Sequence, residues 1–155
     1  MRKGLCRDTP QPIYINVSSN LKNPIKPRMI IPMLVCKDPG AEIKFCQHSF
    51  GAVELSRREG KDGSVVHATL RINEAMFMVH DESDHLDSSA PLSNGSSPVV
   101  IYLYGEEVDA IIEKAVTRGA RVLLPAEDQY WGDRVGRIID PENHVWNIAS
   151  RISED

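Results

Sequence analysis

Phe50-Gly51-Ala52-Val53-Glu54-Leu55 and Arg118-Gly119-Ala120-Arg121-Val122-Leu123 carry the same local pattern. A helix ends at a glycine, the residue best suited to a left-handed C-cap, and a strand begins after the alanine. Working outward, an acidic residue (Asp38, Glu107) stands 14 or 13 positions before that alanine. Asp38-Pro39-Gly40 reads as an N-cap with proline in the first turn. In the second copy Val108, Ile111, Ile112, Ala115 and Val116 fall on one helix face. Apolar runs of strand length, Met29–Val35 and Val99–Tyr104, precede the two helices. In the first half, strands follow over Val65–Ile72 and Ala75–Val79, around an Asn73-Glu74 turn. In the second half they follow over Arg134–Ile139 and Val145–Ala149, around Asp140-Pro141-Glu142-Asn143.

The chain is therefore an internal repeat of a βαβββ module, about 50 to 55 residues per copy. The fold class is α+β, with two modules forming a curved mixed sheet. One module offers a four-stranded sheet with a helix on one face. Its other face needs a partner. Pairing two such sheets gives a partly closed cup, a natural place for a small ligand.

The expected boundaries are an N-terminal arm over 1–27 and a single domain over 28–155. That domain divides into modules 28–82 and 98–151, joined by a polar, turn-rich linker over 83–97. The arm carries Pro10, Pro12, Pro24 and Pro27 and little periodicity. It reads as an extended segment, with Ile13–Val17 as an alternative edge strand and a dimer partner as one docking site. A length of 155 residues suits one self-sufficient core.

The net charge of −4, with scattered basic residues, argues against nucleic acid. Cys6, Cys36 and Cys46 are too few and too unevenly spaced for a disulfide framework, which fits a reducing compartment. No apolar run marks a signal peptide or a membrane span, so a cytoplasmic protein is expected. Walker, GxGxxG and Gly-x-Ser-x-Gly patterns are absent from the sequence.

Several local motifs resemble the vicinal oxygen chelate superfamily, which includes glyoxalase I, extradiol dioxygenases, and fosfomycin and bleomycin resistance proteins. Within it, Phe45 with Phe50-Gly51-Ala52, and His67-Ala68-Thr69-Leu70, resemble the first module of the PhnB-like branch. Tyr130-Trp131-Gly132-Asp133-Arg134 followed by Asp140-Pro141-Glu142-Asn143-His144-Val145-Trp146 resembles its most specific stretch. Asn143 replaces the usual glycine, and asparagine is the next-best residue for a left-handed turn. The resemblance spans residues 29–151.

It also implies a divalent metal held by His, Gln or Glu from the first and last strands of the modules, polarising a substrate oxygen. The residues here argue against that. Neither Met29–Val35 nor Pro98–Tyr104 contains His, Gln, Glu or Asp. Asn147 stands where the resemblance places a second-module glutamate. The run His80-Asp81-Glu82-Ser83-Asp84-His85 reads as a solvated acidic loop. No metal or other cofactor is expected.

The expected ligand-binding residues are His67, Tyr102, Tyr104, Trp131 and Arg134. Alternation puts Tyr102 and Tyr104 on one strand face, and Ile101 and Leu103 on the other. Trp131 sits beside Gly132 at a rim, whereas Trp146 suits the core. Arg134 offers a fork for a carboxylate or phosphate, or a structural ion pair with Asp133 or Asp140. His67 faces the cavity or is a buried, satisfied histidine.

Three functional readings follow. The first is a metal-independent homodimer that sequesters a small hydrophobic or aromatic molecule, an antibiotic or toxic metabolite. The second is a divergent glyoxalase-like lyase, isomerase or transferase using His67, Glu82 or His144. The third is a structural partner protein that docks through its arm.

Overall fold

Side-chain alternation decides which side of each strand is buried. In β1 (Met33–Cys36), Leu34 and Cys36 are buried while Met33 is exposed. In β3 (Val65–Ile72) and β4 (Ala75–Asp81), the buried apolar residues of the core are Val65, Ala68, Leu70, Ile72, Phe77 and Val79. These residues face α1 (Pro39–Phe50), which contributes Ile43, Phe45 and Cys46. With β2 (Val53–Glu59) they form a four-stranded sheet in the order β1-β4-β3-β2. The β1–β4 pair is parallel and the other two pairs are antiparallel.

The second module repeats this plan. β5 (Val100–Tyr104), α2 (Val108–Thr117), β6 (Arg121–Asp128), β7 (Asp133–Ile139) and β8 (Val145–Arg151) give the sheet order β5-β8-β7-β6. This computed structural model describes residues 29–92 and 97–152. The arm expected over 1–27, and 93–96 of the linker, lie outside the described residues.

The expected two-module architecture is therefore present. Asp38 caps α1, its carboxylate accepting from the Ala41 N–H at 3.0 Å. Gly51 closes the helix at φ 68°, the left-handed conformation the repeat pattern required. Asn143 takes the same conformation at φ 69° in the β7–β8 turn. β4 runs to Asp81, two residues beyond the expected Val79, because the parallel ladder with β1 continues through Val35–His80 and Cys36–Asp81.

The modules meet through their helix sides. α1 packs on α2. Trp146, 2% exposed, lies 4.8 Å from Phe50 and 6.1 Å from Phe77 between ring centroids. Buried residues of both modules thus form one core. Fully burying a Leu, Ile or Phe stabilises by about 1.5–3 kcal/mol, so the apolar helix sides have the strongest reason to join. Among the described residues, no strand of one sheet lies beside a strand of the other. The opposite sheet faces stay open, presenting Met33, Val53, Tyr102 and Tyr104 to solvent.

Candidate site on the open sheet faces

Strand register places one row of side chains across each open face. Across β5, β8, β7 and β6 the row is Tyr102, Asn147, Arg137 and Leu124. All four line a cleft of about 340 Å³, which Trp131 and Glu127 also border. That volume lies at the small end of the range for ligand pockets. Gly132, at φ 90°, turns the chain just after Trp131 and sets the indole at the rim, 47% exposed.

Aromatic stacking and hydrogen bonds hold the wall. Tyr102 stacks on Tyr104, with ring centroids 5.4 Å apart and planes at 29°. The Tyr104 hydroxyl donates to Asp133 Oδ2 at 2.8 Å, and this bond raises the phenol pKa. Arg151 pairs with the other oxygen of the same carboxylate at 3.3 Å. At the centre of the row, Arg137 Nε donates to Asn147 Oδ1 at 2.7 Å.

The predicted site residues fall into three groups. Tyr102 and Trp131 line the cleft, with Tyr104 stacked beside them. Arg134 lies elsewhere. In β7 it alternates with Arg137 and so points to the α2 side. There it holds Asp109 at 2.7 Å and Asp128 at 2.9 Å. The structural ion pair considered from sequence is thus formed, with Asp109 and Asp128 as partners in place of Asp133 or Asp140. Both ends of its fork are occupied. His67 lies on the other open face.

That face carries the row Val35, His80, His67 and Arg58. His67 and His80 are direct cross-strand partners, with ring centroids 5.8 Å apart. Burial lowers the His67 pKa first, and His80 and Arg58 lower it further. His80 Nδ1 is engaged with the Asp81 carbonyl.

A metal of the kind the resemblance implies would draw on the first and last strands, where the two rows offer Val35, His80, Tyr102 and Asn147. One imidazole and one carboxamide do not make a three- or four-ligand set for a divalent cation. Among the described residues, no three His, Cys, Asp or Glu side chains converge as metal ligands. The residues do not fit the group. Glu82 is committed to the Ala90 N–H at 2.8 Å.

A second polar cluster, invisible in the sequence, lies buried between the modules. Glu42 of α1 is 0% exposed and accepts from the Cys46 thiol at 3.1 Å, while its Oε2 has no partner. Asp140 accepts from the Trp146 indole N–H at 2.7 Å and from the His144 N–H at 2.8 Å. His144 Nε2 lies 3.6 Å from Cys36 Sγ. Burial, with Asp140 nearby, pushes the Glu42 pKa well above the carboxylate range. Burial lifts Asp140 to about 6 against the bonds it accepts, and lowers His144 to about 4. This cluster ties β1, α1 and the β7–β8 turn together.

The model of the Glyoxalase/Bleomycin resistance protein/Dioxygenase superfamily matches residues 29–148. The chain belongs to this superfamily. A relative, "Uncharacterized protein Rv0887c" of Mycobacterium tuberculosis (strain ATCC 25618 / H37Rv), is 40% identical over 126 residues, covering 79% of this chain and 74% of the relative. Among solved structures, TioX from Micromonospora sp. ML1 superposes with a TM-score of 0.62 at 21% identity, over 82% of this chain and 98% of that one. The fosfomycin resistance protein FosX of Listeria monocytogenes, complexed with Mn(II) and 1S,2S-dihydroxypropylphosphonic acid, superposes at 0.54 with 19% identity, over 76% and 85%. At these identities the two structures establish the glyoxalase/bleomycin resistance fold, and nothing finer.

Proposed function

We infer that this chain is a metal-independent small-molecule binding protein of the glyoxalase/bleomycin resistance type. Its role is to sequester an antibiotic or toxic metabolite in the cytoplasm. The observation that carries the reading is the cleft on the second sheet: aromatic walls from Tyr102 and Trp131 around a half-buried guanidinium. Aromatic side chains give large, rigid contact area to flat or amphipathic molecules. The motifs over Tyr130–Arg134 and Asp140–Trp146 support placement in the PhnB-like branch.

The reading includes a homodimer. Met33, Val53, Tyr102 and Tyr104 stand exposed on the open sheet faces. A second copy laid over the open faces would cover them and roof the cleft. Buried free thiols at Cys36 and Cys46 suit a reducing compartment. No helix among the described residues is long and apolar enough to cross a membrane.

One observation favours a second reading, an enzyme of the lyase, isomerase or transferase class. His67 faces the open sheet, and its lowered pKa favours the neutral base form. A thermal-shift screen against antibiotics, thiol adducts and carboxylate metabolites separates the two readings when run with and without divalent metals. The binding reading expects stabilising hits that survive a chelator. Hits that require a metal, with turnover lost on chelation, would contradict it.

A further inference from the structure

We propose that Arg137 makes the cleft an anion-selective site, whose ligand is a small aromatic carboxylate seated with its carboxylate on the Arg137 fork and its ring between Tyr102 and Trp131. This rests on the binding reading of the cleft. It goes further by naming the chemical class of the ligand and the residue that selects it.

The first support is the state of the guanidinium. Arg57, Arg134 and Arg151 are committed to carboxylates. Arg58, Arg71, Arg118 and Arg121 have no carboxylate partner among the described residues but are exposed, whereas Arg137 is half-buried. Among the described residues, Arg137 has no carboxylate within the 4.0 Å that defines an ion pair. Among the described residues its one side-chain bond runs from Nε to Asn147. That bond fixes the plane of the fork and leaves both terminal nitrogens as donors. A half-buried cation without a counter-ion is costly. A planar, bidentate oxyanion answers that cost best.

The second support is the setting. The guanidinium is flanked across the strands by Leu124 and Asn147, with Tyr102 one strand further. The one carboxylate in the lining, Glu127, is in register with Val135. An anion is therefore drawn to the Arg137 end of the cleft and repelled from the Glu127 end. Trp131 and Leu124 leave an apolar space for the body of the ligand. A bare anion such as phosphate would leave that space unfilled.

The test is calorimetric titration of the full-length protein with 2-naphthoate and with its neutral isostere 2-naphthamide. The wild type is expected to prefer the carboxylate by about tenfold or more, the usual scale of a charge-assisted bond. Arg137→Met keeps the apolar stem. It should abolish the preference, bringing 2-naphthoate down to the level of the amide. A second, mutation-free measurement guards against a misfolded variant: raising NaCl from 50 to 500 mM should weaken the carboxylate and spare the amide. Equal affinity for both probes, or a preference that survives Arg137→Met, overturns the anion inference and leaves the cleft reading standing. Failure of both probes to bind the wild type overturns both.

Discussion

Arg134 and Arg137 are three positions apart, and strand alternation sends them to opposite sides of the second sheet. Arg134 closes on Asp109 and Asp128, whereas Arg137 enters the cleft. Arg134→Met should therefore leave 2-naphthoate affinity within twofold of the wild type. Its stability cost should be small, since solvent-screened ion pairs contribute little. Calorimetry and urea melts on the same sample check both expectations. The alternation that separated Tyr102 from Ile101 was legible in the sequence, and Trp146 was read there as a core residue. The role of Arg137 was not legible. Asp133, Val135 and Arg137 do alternate with Arg134, Gly136 and Ile138, but which set faces the core depends on where α2 packs. Gly136 settles it: a Cβ there would stand 2.5 Å from Ile112 Cδ1.

At the scale of elements, the helix boundaries were written in the sequence because caps are local. Asp38→Ala should cost about 1 kcal/mol through loss of the bond from the Ala41 N–H, read as a lower urea midpoint with an unchanged slope. Gly136→Ala should be more damaging, by about 1–3 kcal/mol, since the added methyl meets both Ile112 and the Ala126 backbone. Thermal melts of the two variants should rank them in that order. The full length of β6 was not legible, because Pro125 interrupts its pattern. The strand accommodates proline as the outer strand of its sheet, with register shifts on either side of Leu124.

At the scale of the whole molecule, the duplicated module was visible as a repeat, but the way its copies meet was not. The buried polar cluster shows why. Glu42 looks like an ordinary first-turn acid until Asp140, about 100 positions away, is folded against it. Its folded pKa is raised, so its contribution is full below the unfolded value near 4.5 and is lost as pH rises toward the folded value. Glu42→Gln should therefore gain stability relative to the wild type as pH climbs above about 4.5, by at most about 1.4 kcal/mol per pH unit. His144 has the opposite sign. Its pKa falls from 6.5 to about 4, so its contribution is present above 6.5 and lost as pH drops toward 4. His144→Asn should flatten that acid limb. Denaturant melts across the pH range check both, and a wild-type profile matching both variants would contradict the account. The proposed homodimer predicts a species of twice the 17.3 kDa chain mass in sedimentation velocity, and a species at the chain mass alone would contradict it.

The central claim is that function lies on the open face of the second sheet. It is tested most directly by titrating 2-naphthoate into 15N-labelled protein and mapping the amide and indole shifts. The account predicts changes concentrated at Tyr102, Trp131, Val135, Arg137 and Asn147. Changes confined to the first sheet around His67 and His80, or scattered over the surface, would contradict it.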